Sequence, residues 1–191
     1  VQSIVKGQIE AGLALGLHDV VEVHATTGAT RTTVRGEGAD TVPQGEDHLV
    51  VRALRTGLEL AGASQVGIEL TAFNRIPHGR GLGSSAAAVV AGLMAARGLI
   101  SEPEALSDEI LLELATEWEG HPDNAAAAIL GGATLAWTEP EGGPQKSPLV
   151  RALALEVDPT LECTAFIPTA ARATKGARSV LPALVPHADA A

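Results

Sequence analysis

The stretch Pro77-His-Gly-Arg-Gly-Leu-Gly-Ser-Ser-Ala-Ala87 decides the fold, because it joins a predicted strand to a predicted helix. Residues 65–73 (QVGIELTAF) precede it with a strand-like pattern, and small residues at helical spacing extend from Ser84 to about Arg97. Glycines let the backbone between these elements turn sharply and approach a ligand closely. The positive N-terminal end of the helix faces this loop, so the stretch predicts an anion site, usually one for phosphate.

Two other glycine-rich nucleotide motifs do not fit these letters. A Walker A loop requires a lysine after its glycines, and none stands here. A dinucleotide fingerprint requires a third glycine where Ser84 stands. The glycines alone would suit a tight strand-to-helix turn about as well as a ligand site, whereas the full stretch to Ala87 is far more specific. The hydroxyls of Ser84 and Ser85 can bind phosphate oxygens or a magnesium ion.

A second group of polar residues, Glu119-Gly-His-Pro-Asp-Asn124, interrupts two helical segments. Alone, an acidic loop of this kind can be a solvated turn or a helix cap. Together with the glycine-rich loop it favours a second part of one site. Glu113 and Glu117 lie four residues apart on one face of the preceding helix.

The remaining pattern indicates an α+β protein, because strands and helices do not alternate strictly. We predict a hairpin from residues 18–25 and 30–36, and then a helix from an Asp47 N-cap to about Gly62. Ser101 and Glu104 have capping-box spacing for a helix that reaches about Trp118. Further predictions are strands at 133–138, 149–157 and 161–167, with Cys163 as a small core residue, a linker at 139–148 and a helix at 174–184.

Composition excludes several classes of protein. With 46% apolar and 19% charged residues, the 191-residue chain is typical of a soluble globular protein. Its net charge of −10 argues against nucleic-acid binding, and no apolar run reaches the roughly 20 residues of a membrane span. A secretory signal is absent from the sequence, and one cysteine cannot form an intramolecular disulfide, so we expect a cytoplasmic protein. Four histidines have no convincing metal-ligand spacing and are interpreted as surface or core residues: His18, His24, His48 and His187.

The two motifs together resemble a known family. P-x-x-x-G-L-G-S-S-A-A is similar to the phosphate-binding motif of the GHMP kinases, a family of small-molecule kinases. E-G-H-P-D-N followed by A-x-A-A-x-L-G-G resembles the homoserine kinase branch of that family, in an actinobacterial-like form. The resemblance implies ATP-dependent, Mg²⁺-dependent phosphorylation of L-homoserine to O-phospho-L-homoserine in threonine biosynthesis. The alternatives are another GHMP kinase, of mevalonate or sugar type, and an inactive nucleotide-binding fragment.

The resemblance also implies roles for individual residues. The ATP-binding segment would comprise Pro77, His78, Gly79, Arg80, Gly81, Leu82, Gly83, Ser84, Ser85, Ala86 and Ala87. Ser85 and Glu119 would hold Mg²⁺, with Glu113 as the second choice for the glutamate. The catalytic residues would be Ser85, Glu119 and Asn124. Substrate-binding residues would be His121, Asp123, Asn124, Thr174 and Arg178, because an arginine fork suits the substrate carboxylate.

The resemblance finally implies a domain organisation. Residues 1–147 would form the ATP-binding domain, of the ribosomal-protein-S5-domain-2-like type, and residues 148–191 would begin a ferredoxin-like C-terminal domain. Residues 1–9 lack the asparagine and aspartate of the family's N-terminal substrate loop, and the sequence ends before the family's third glycine-rich motif. We therefore expect a chain truncated at both ends. Homodimers are common in this family, so a homodimer is compatible with the resemblance.

Overall fold

The computed structural model describes residues 9–139, 149–158 and 160–167. These residues contain strands and helices in a mixed order, which confirms the α+β class. The elements are β1 Ile9–Leu13, β2 Val20–Thr26, β3 Arg31–Gly36, α1 Leu49–Leu60, β4 Gly67–Asn74, α2 Ser84–Leu99, α3 Asp108–Glu119, α4 Asp123–Leu130, β5 Ala133–Glu139 and β6 Leu149–Leu155, with 3-10 turns at Gly45–Asp47 and Pro103–Leu106.

The first sheet has the strand order β2-β4-β3. The predicted hairpin is therefore wrong in its pairing, since β4 lies between β2 and β3, antiparallel to the former and parallel to the latter. The central position suits β4, because Ile68, Leu70 and Ala72 share one face of the strand and are at most 2% exposed, while its backbone is hydrogen-bonded along both edges. Gly67 allows the insertion, since a Cβ there would collide with the backbone carbonyl of Gly28.

The second sheet is antiparallel, in the order β1-β5-β6. The strand Ile9–Leu13 was not predicted, because its apolar residues Ile9 and Leu13 are exposed whereas Glu10 and Gly12 are partly buried. β6 ends at Leu155, two residues before the predicted end. It hydrogen-bonds to β5 although the sequence places it after the linker, and the division between residues 147 and 148 remains a prediction.

The segment 161–167 is wrongly predicted as a strand. These residues are exposed and belong to no strand or helix, and Cys163 is exposed rather than part of the core. An isolated apolar pattern does not form a strand without a partner, and no neighbouring strand pairs with it among the residues that the structure covers. The predicted helix 174–184 and residues 140–148 of the predicted linker lie outside the described ranges.

Helices α1 and α2 pack face to face and carry much of the core. Leu54 and Leu93 are fully buried, and Gly92 brings α2 so close to α1 that a Cβ would lie 2.3 Å from the carbonyl oxygen of Val50. This packing fixes the start of α2 and therefore the end of the glycine-rich loop. Within the described residues, no helix is long and apolar enough to cross a membrane.

Two predicted helix starts need correction. Asp47 belongs to a 3-10 turn, and His48 is the N-cap of α1 without a side-chain capping bond. Ser101 does not cap α3, since a 3-10 turn at Pro103–Leu106 intervenes and buries Leu106 completely. Ser107 caps α3 instead, with its Oγ accepting a 3.5 Å hydrogen bond from the N–H of Ile110.

Candidate active site

The glycine-rich loop connects β4 to α2 in left-handed backbone conformations. Gly79, Gly81 and Gly83 have φ angles of 65°, 77° and 72°, which side chains with a Cβ rarely adopt. Gly83 is the N-cap of α2, so the first N–H groups of that helix have no intrahelical acceptor and face the loop. At its other end the loop is anchored by Asp19, whose Oδ1 accepts hydrogen bonds of 2.6 Å and 2.9 Å from the N–H groups of Arg75 and Ile76.

Ser85 contacts the end of helix α3. Its Oγ donates a 2.6 Å hydrogen bond to Oε1 of Glu119. Glu119 is the last residue of α3, and Gly120 ends the helix at φ 81° with its N–H bonded to the carbonyl of Thr116. Ser85 is exposed and Glu119 is partly buried, so both oxygen donors lie at the surface of the site.

The other two candidate glutamates do not share this contact. Glu113 is partly buried further up α3, and Glu117 is exposed. Within the described part of the chain, Glu119 is the glutamate that accepts a hydrogen bond from Ser85. The structure thus brings together the two residues that the resemblance implied as Mg²⁺ ligands, and their role remains a proposal.

Asp123 organises the first turn of α4. Its Oδ1 lies 2.6 Å from Nδ1 of His121 and accepts a 2.7 Å hydrogen bond from the N–H of Asn124. Next to a carboxylate, Nδ1 of His121 carries the proton, which leaves Nε2 as an acceptor whenever the ring is neutral. The side chain of Asn124 reaches the glycine-rich loop, since its Oδ1 would lie only 3.0 Å from a Cβ at Gly83.

A cavity of about 630 Å³ opens beside the loop and the start of α2. Its walls are mostly apolar, with Leu17, Val42, Leu82 and Met94 among the contributors. The polar lining residues include His18, Asp19, His48, Asn74, His78, Ser84, Ser85 and Asn124. Sequence reasoning missed His18, Asp19, His48 and Asn74 as site residues, because no local motif marks them. His18 and Asp19 lie in the loop between β1 and β2, His48 is the N-cap of α1, and Asn74 ends β4.

His48 is the most buried of these polar residues. It is 5% exposed at the N-terminus of α1, and burial lowers the pKa of its imidazole. A neutral ring is therefore favoured at neutral pH, because the charged form would lose its hydration. His48 was predicted to be a surface or core residue, and the structure shows it buried. It also lines the cavity.

A separate group of ligand-type side chains lies where β1 meets the start of α4. Glu10, His121 and Asp123 each place one donor atom within 4.8 Å of the others, a spacing that a metal ion could bridge. All three residues are partly buried, and Oε2 of Glu10 is buried without a hydrogen-bond partner among the described residues. Neither His121 nor Asp123 lines the cavity, in contrast to Asn124.

The predicted ATP-binding residues divide into two sets. Those that line the cavity are His78, Gly81, Leu82, Gly83, Ser84, Ser85 and Ala87. Ala86 instead faces the core, where it is fully buried, while Pro77, Gly79 and Arg80 belong to the loop without lining the cavity. Thr174 and Arg178 lie outside the described residues.

The fold and site define a class of protein. Residues 48–132 match the family described as GHMP kinases N terminal domain. The solved homoserine kinase from Cytophaga hutchinsonii has the same fold, with a TM-score of 0.64 at 24% identity over 100% of this chain and 64% of that one. Residues 48–132 therefore resemble GHMP kinase N-terminal domains, and the chain has the GHMP kinase fold.

Sequence comparison identifies a narrower group of similar proteins, the homoserine kinases. A homoserine kinase from Rhodococcus opacus is 47% identical over 187 residues, covering 94% of this chain and 60% of that protein. A homoserine kinase from Mycobacterium tuberculosis is 48% identical over 181 residues, covering 94% of this chain and 56% of that protein. This chain is thus a relative of actinobacterial homoserine kinases, and it spans 56–60% of the length of these curated relatives.

Proposed function

We propose that this chain carries the ATP-binding part of a homoserine kinase, an enzyme that phosphorylates the hydroxyl of L-homoserine to O-phospho-L-homoserine for threonine synthesis. The observation that carries the proposal is the Ser85–Glu119 hydrogen bond of 2.6 Å at the N-terminus of α2. It joins the phosphate-type loop to the second motif, which the sequence separates by 34 positions.

The nucleotide would bind along the loop and in the adjoining cavity. The free N–H groups at the start of α2 and the helix dipole favour a triphosphate there. The cavity of about 630 Å³ lies within the usual range for small-molecule sites, and its apolar walls suit a nucleoside. The phosphates and the nucleoside would thus occupy two contiguous regions with different chemistry.

Ser85 and Glu119 fit a magnesium ion. Both supply oxygen atoms, which Mg²⁺ prefers, and together they offer few enough ligands to leave room for phosphate oxygens and water. When bound, the ion would neutralise charge on the β- and γ-phosphates. The hydrogen bond of Ser85 holds the Glu119 carboxylate toward the loop, so the residues themselves pre-orient this donor pair.

The amino-acid substrate would bind at the start of α4. Asn124 lies beside Gly83 and would orient the attacking hydroxyl, while Asp123 fixes His121 by a hydrogen bond. Thr174 and Arg178 are proposed for the substrate carboxylate on the strength of the sequence resemblance alone. Phosphoryl transfer depends mainly on positioning and charge neutralisation, so this arrangement requires no strong general base.

A coupled ADP-release assay with ATP and Mg²⁺ tests the proposal. ADP release is compared with L-homoserine, mevalonate or galactose as the phosphoryl acceptor. ADP release that depends on homoserine and falls in Asn124→Ala would support the homoserine kinase hypothesis. Turnover with mevalonate or galactose instead would assign another GHMP kinase activity. ATP binding without turnover on any substrate would identify a nucleotide-binding unit that is not sufficient for catalysis.

A further inference from the structure

The segment Gly36–Pro43, which we call the flanking segment, is held against the base of the glycine-rich loop. The N–H of Glu37 donates a 3.0 Å hydrogen bond to the carbonyl of Asn74, and Nδ2 of Asn74 returns a 3.1 Å bond to the carbonyl of Glu37. Asn74 is the last residue of β4, directly before the loop. The flanking segment is thus fixed to the point at which the loop leaves the sheet.

Inside the segment, Gly38 forms a tight turn. Its carbonyl oxygen accepts 2.9 Å hydrogen bonds from the N–H groups of both Thr41 and Val42. Its φ angle is +72°, in the left-handed region. These bonds hold the turn in one conformation, so the Cα of Gly38 has a defined position.

The imidazole of His78 packs directly on that Cα. A Cβ at position 38 would lie 2.6 Å from both Cε1 and Nδ1 of His78, closer than side chains approach each other in proteins. Only a glycine therefore permits the observed position of the His78 ring. His78 belongs to the glycine-rich loop, so this contact joins the flanking segment to the loop itself.

The same region borders the cavity. Val42 and Pro43 of the flanking segment line it, and so does His78. A displacement of the His78 ring by a new Cβ would therefore change the shape of the cavity next to the loop. The contact between Gly38 and His78 therefore links two parts of the cavity wall, the flanking segment and the glycine-rich loop.

We infer that Gly38 is a positioning residue for nucleotide binding, which sets ATP affinity by holding His78 and the glycine-rich loop in the binding geometry. This inference rests on the proposed function, since it requires a nucleotide at the loop. It assigns a role to a residue that belongs to neither of the two motifs. The ligand whose affinity Gly38 would set is the nucleoside triphosphate, not the phosphoryl acceptor.

The test compares Gly38→Ala with Gly62→Ala by calorimetric titration of MgATP and by thermal unfolding. Gly62 is the matched control, because its φ is +63° and a Cβ there would meet nothing within 4 Å. Both variants place alanine in a left-handed conformation, so both should lower the melting temperature. Only Gly38→Ala should weaken ATP binding, by about tenfold, which is typical of coupling between contacting residues.

A double variant, Gly38→Ala with His78→Ala, completes the cycle. Removal of the imidazole relieves the closest collision and leaves a contact of 2.9 Å with Cγ1 of Val42, so the double variant should bind ATP nearly as His78→Ala alone does. Equal ATP affinities in Gly38→Ala and Gly62→Ala, or fully additive effects in the double variant, would overturn the inference and leave the nucleotide site intact. Failure of the unaltered protein to bind MgATP would refute the proposed function first and this inference with it.

Discussion

Oγ of Ser85 donates a 2.6 Å hydrogen bond to Oε1 of Glu119, which joins the first residues of α2 to the last residue of α3. Both ends of the bond lie at helix termini, so the packing of two helices determines whether it forms. Each residue carries an oxygen donor of the kind that Mg²⁺ prefers. The bond is therefore the point at which the fold assembles the proposed metal site.

Removal of the hydroxyl should weaken the site. We expect Ser85→Ala to lower Mg²⁺-dependent ATP affinity about tenfold to a hundredfold, since a hydrogen bond to a charged group contributes roughly 1.5–3 kcal/mol. Titration of ATP with and without Mg²⁺ measures this effect. Ser101→Ala is the control, because Ser101 is exposed and outside the site. An unchanged affinity in Ser85→Ala would remove Ser85 from the proposed metal site.

Substitution can also decide between the candidate glutamates. Glu119→Gln should abolish most of the Mg²⁺ dependence of ATP binding, whereas Glu113→Gln should retain it, because Glu119 contacts Ser85. Glu117→Gln serves as an exposed control on the same helix. Titration of Mn²⁺ in the presence of ATP, followed by electron paramagnetic resonance, would report the site directly. A larger loss in Glu113→Gln would reverse the assignment.

The close packing of α1 and α2 can be tested with two glycines of one helix. Gly92→Ala should destabilise the protein by about 1–3 kcal/mol, because the new Cβ would lie 2.3 Å from the carbonyl oxygen of Val50. Gly98→Ala should stabilise it by about 0.5–1 kcal/mol, since a Cβ there meets nothing within 4 Å and alanine favours the helix. Urea unfolding of both variants checks the prediction. Equal effects at the two positions would contradict the observed helix contact.

Stability should fall in acid through Glu46. Hydrogen bonds from Arg55 and Thr30 lower the pKa of Glu46 from 4.5 to about 2, with the guanidinium of Arg55 at 2.8 Å. Because the folded pKa is the lower one, this stabilisation is present above pH 4.5 and is lost as the pH falls toward 2. The Glu46 side chain is 58% exposed, so solvent and salt screen the effect and its size should be modest.

The measurement is the free energy of unfolding at about pH 6 and about pH 3, for the unaltered protein and for Glu46→Gln. The variant should lose less stability between the two values. Glu59→Gln, at an exposed position of α1, controls for the loss of one negative charge. An identical pH dependence in the unaltered protein and Glu46→Gln would show that the Arg55 contact does not stabilise the fold.

Much of the local structure was predictable because short-range patterns produce it. The glycine-rich loop, the start of α2 at Ser84 and the strand at β5 all appear where the sequence places them. The starts of α1 and α3 were wrong because several residues near each start can cap a helix. The 3-10 turns before α1 and α3 determine which residue caps each helix, and these turns depend on the burial of residues such as Leu106.

The sequence by itself determined the glycine-rich loop and its helix, since spacing along one chain segment specifies a turn, a helix terminus and its dipole. Only the tertiary structure decided the strand order β2-β4-β3, because alternation identifies a strand but not its partner. It also decided that Glu119 rather than Glu113 meets Ser85, and that Gly38 supports His78. Such contacts join residues far apart in sequence, and their geometry follows from how whole helices and sheets pack rather than from any local pattern.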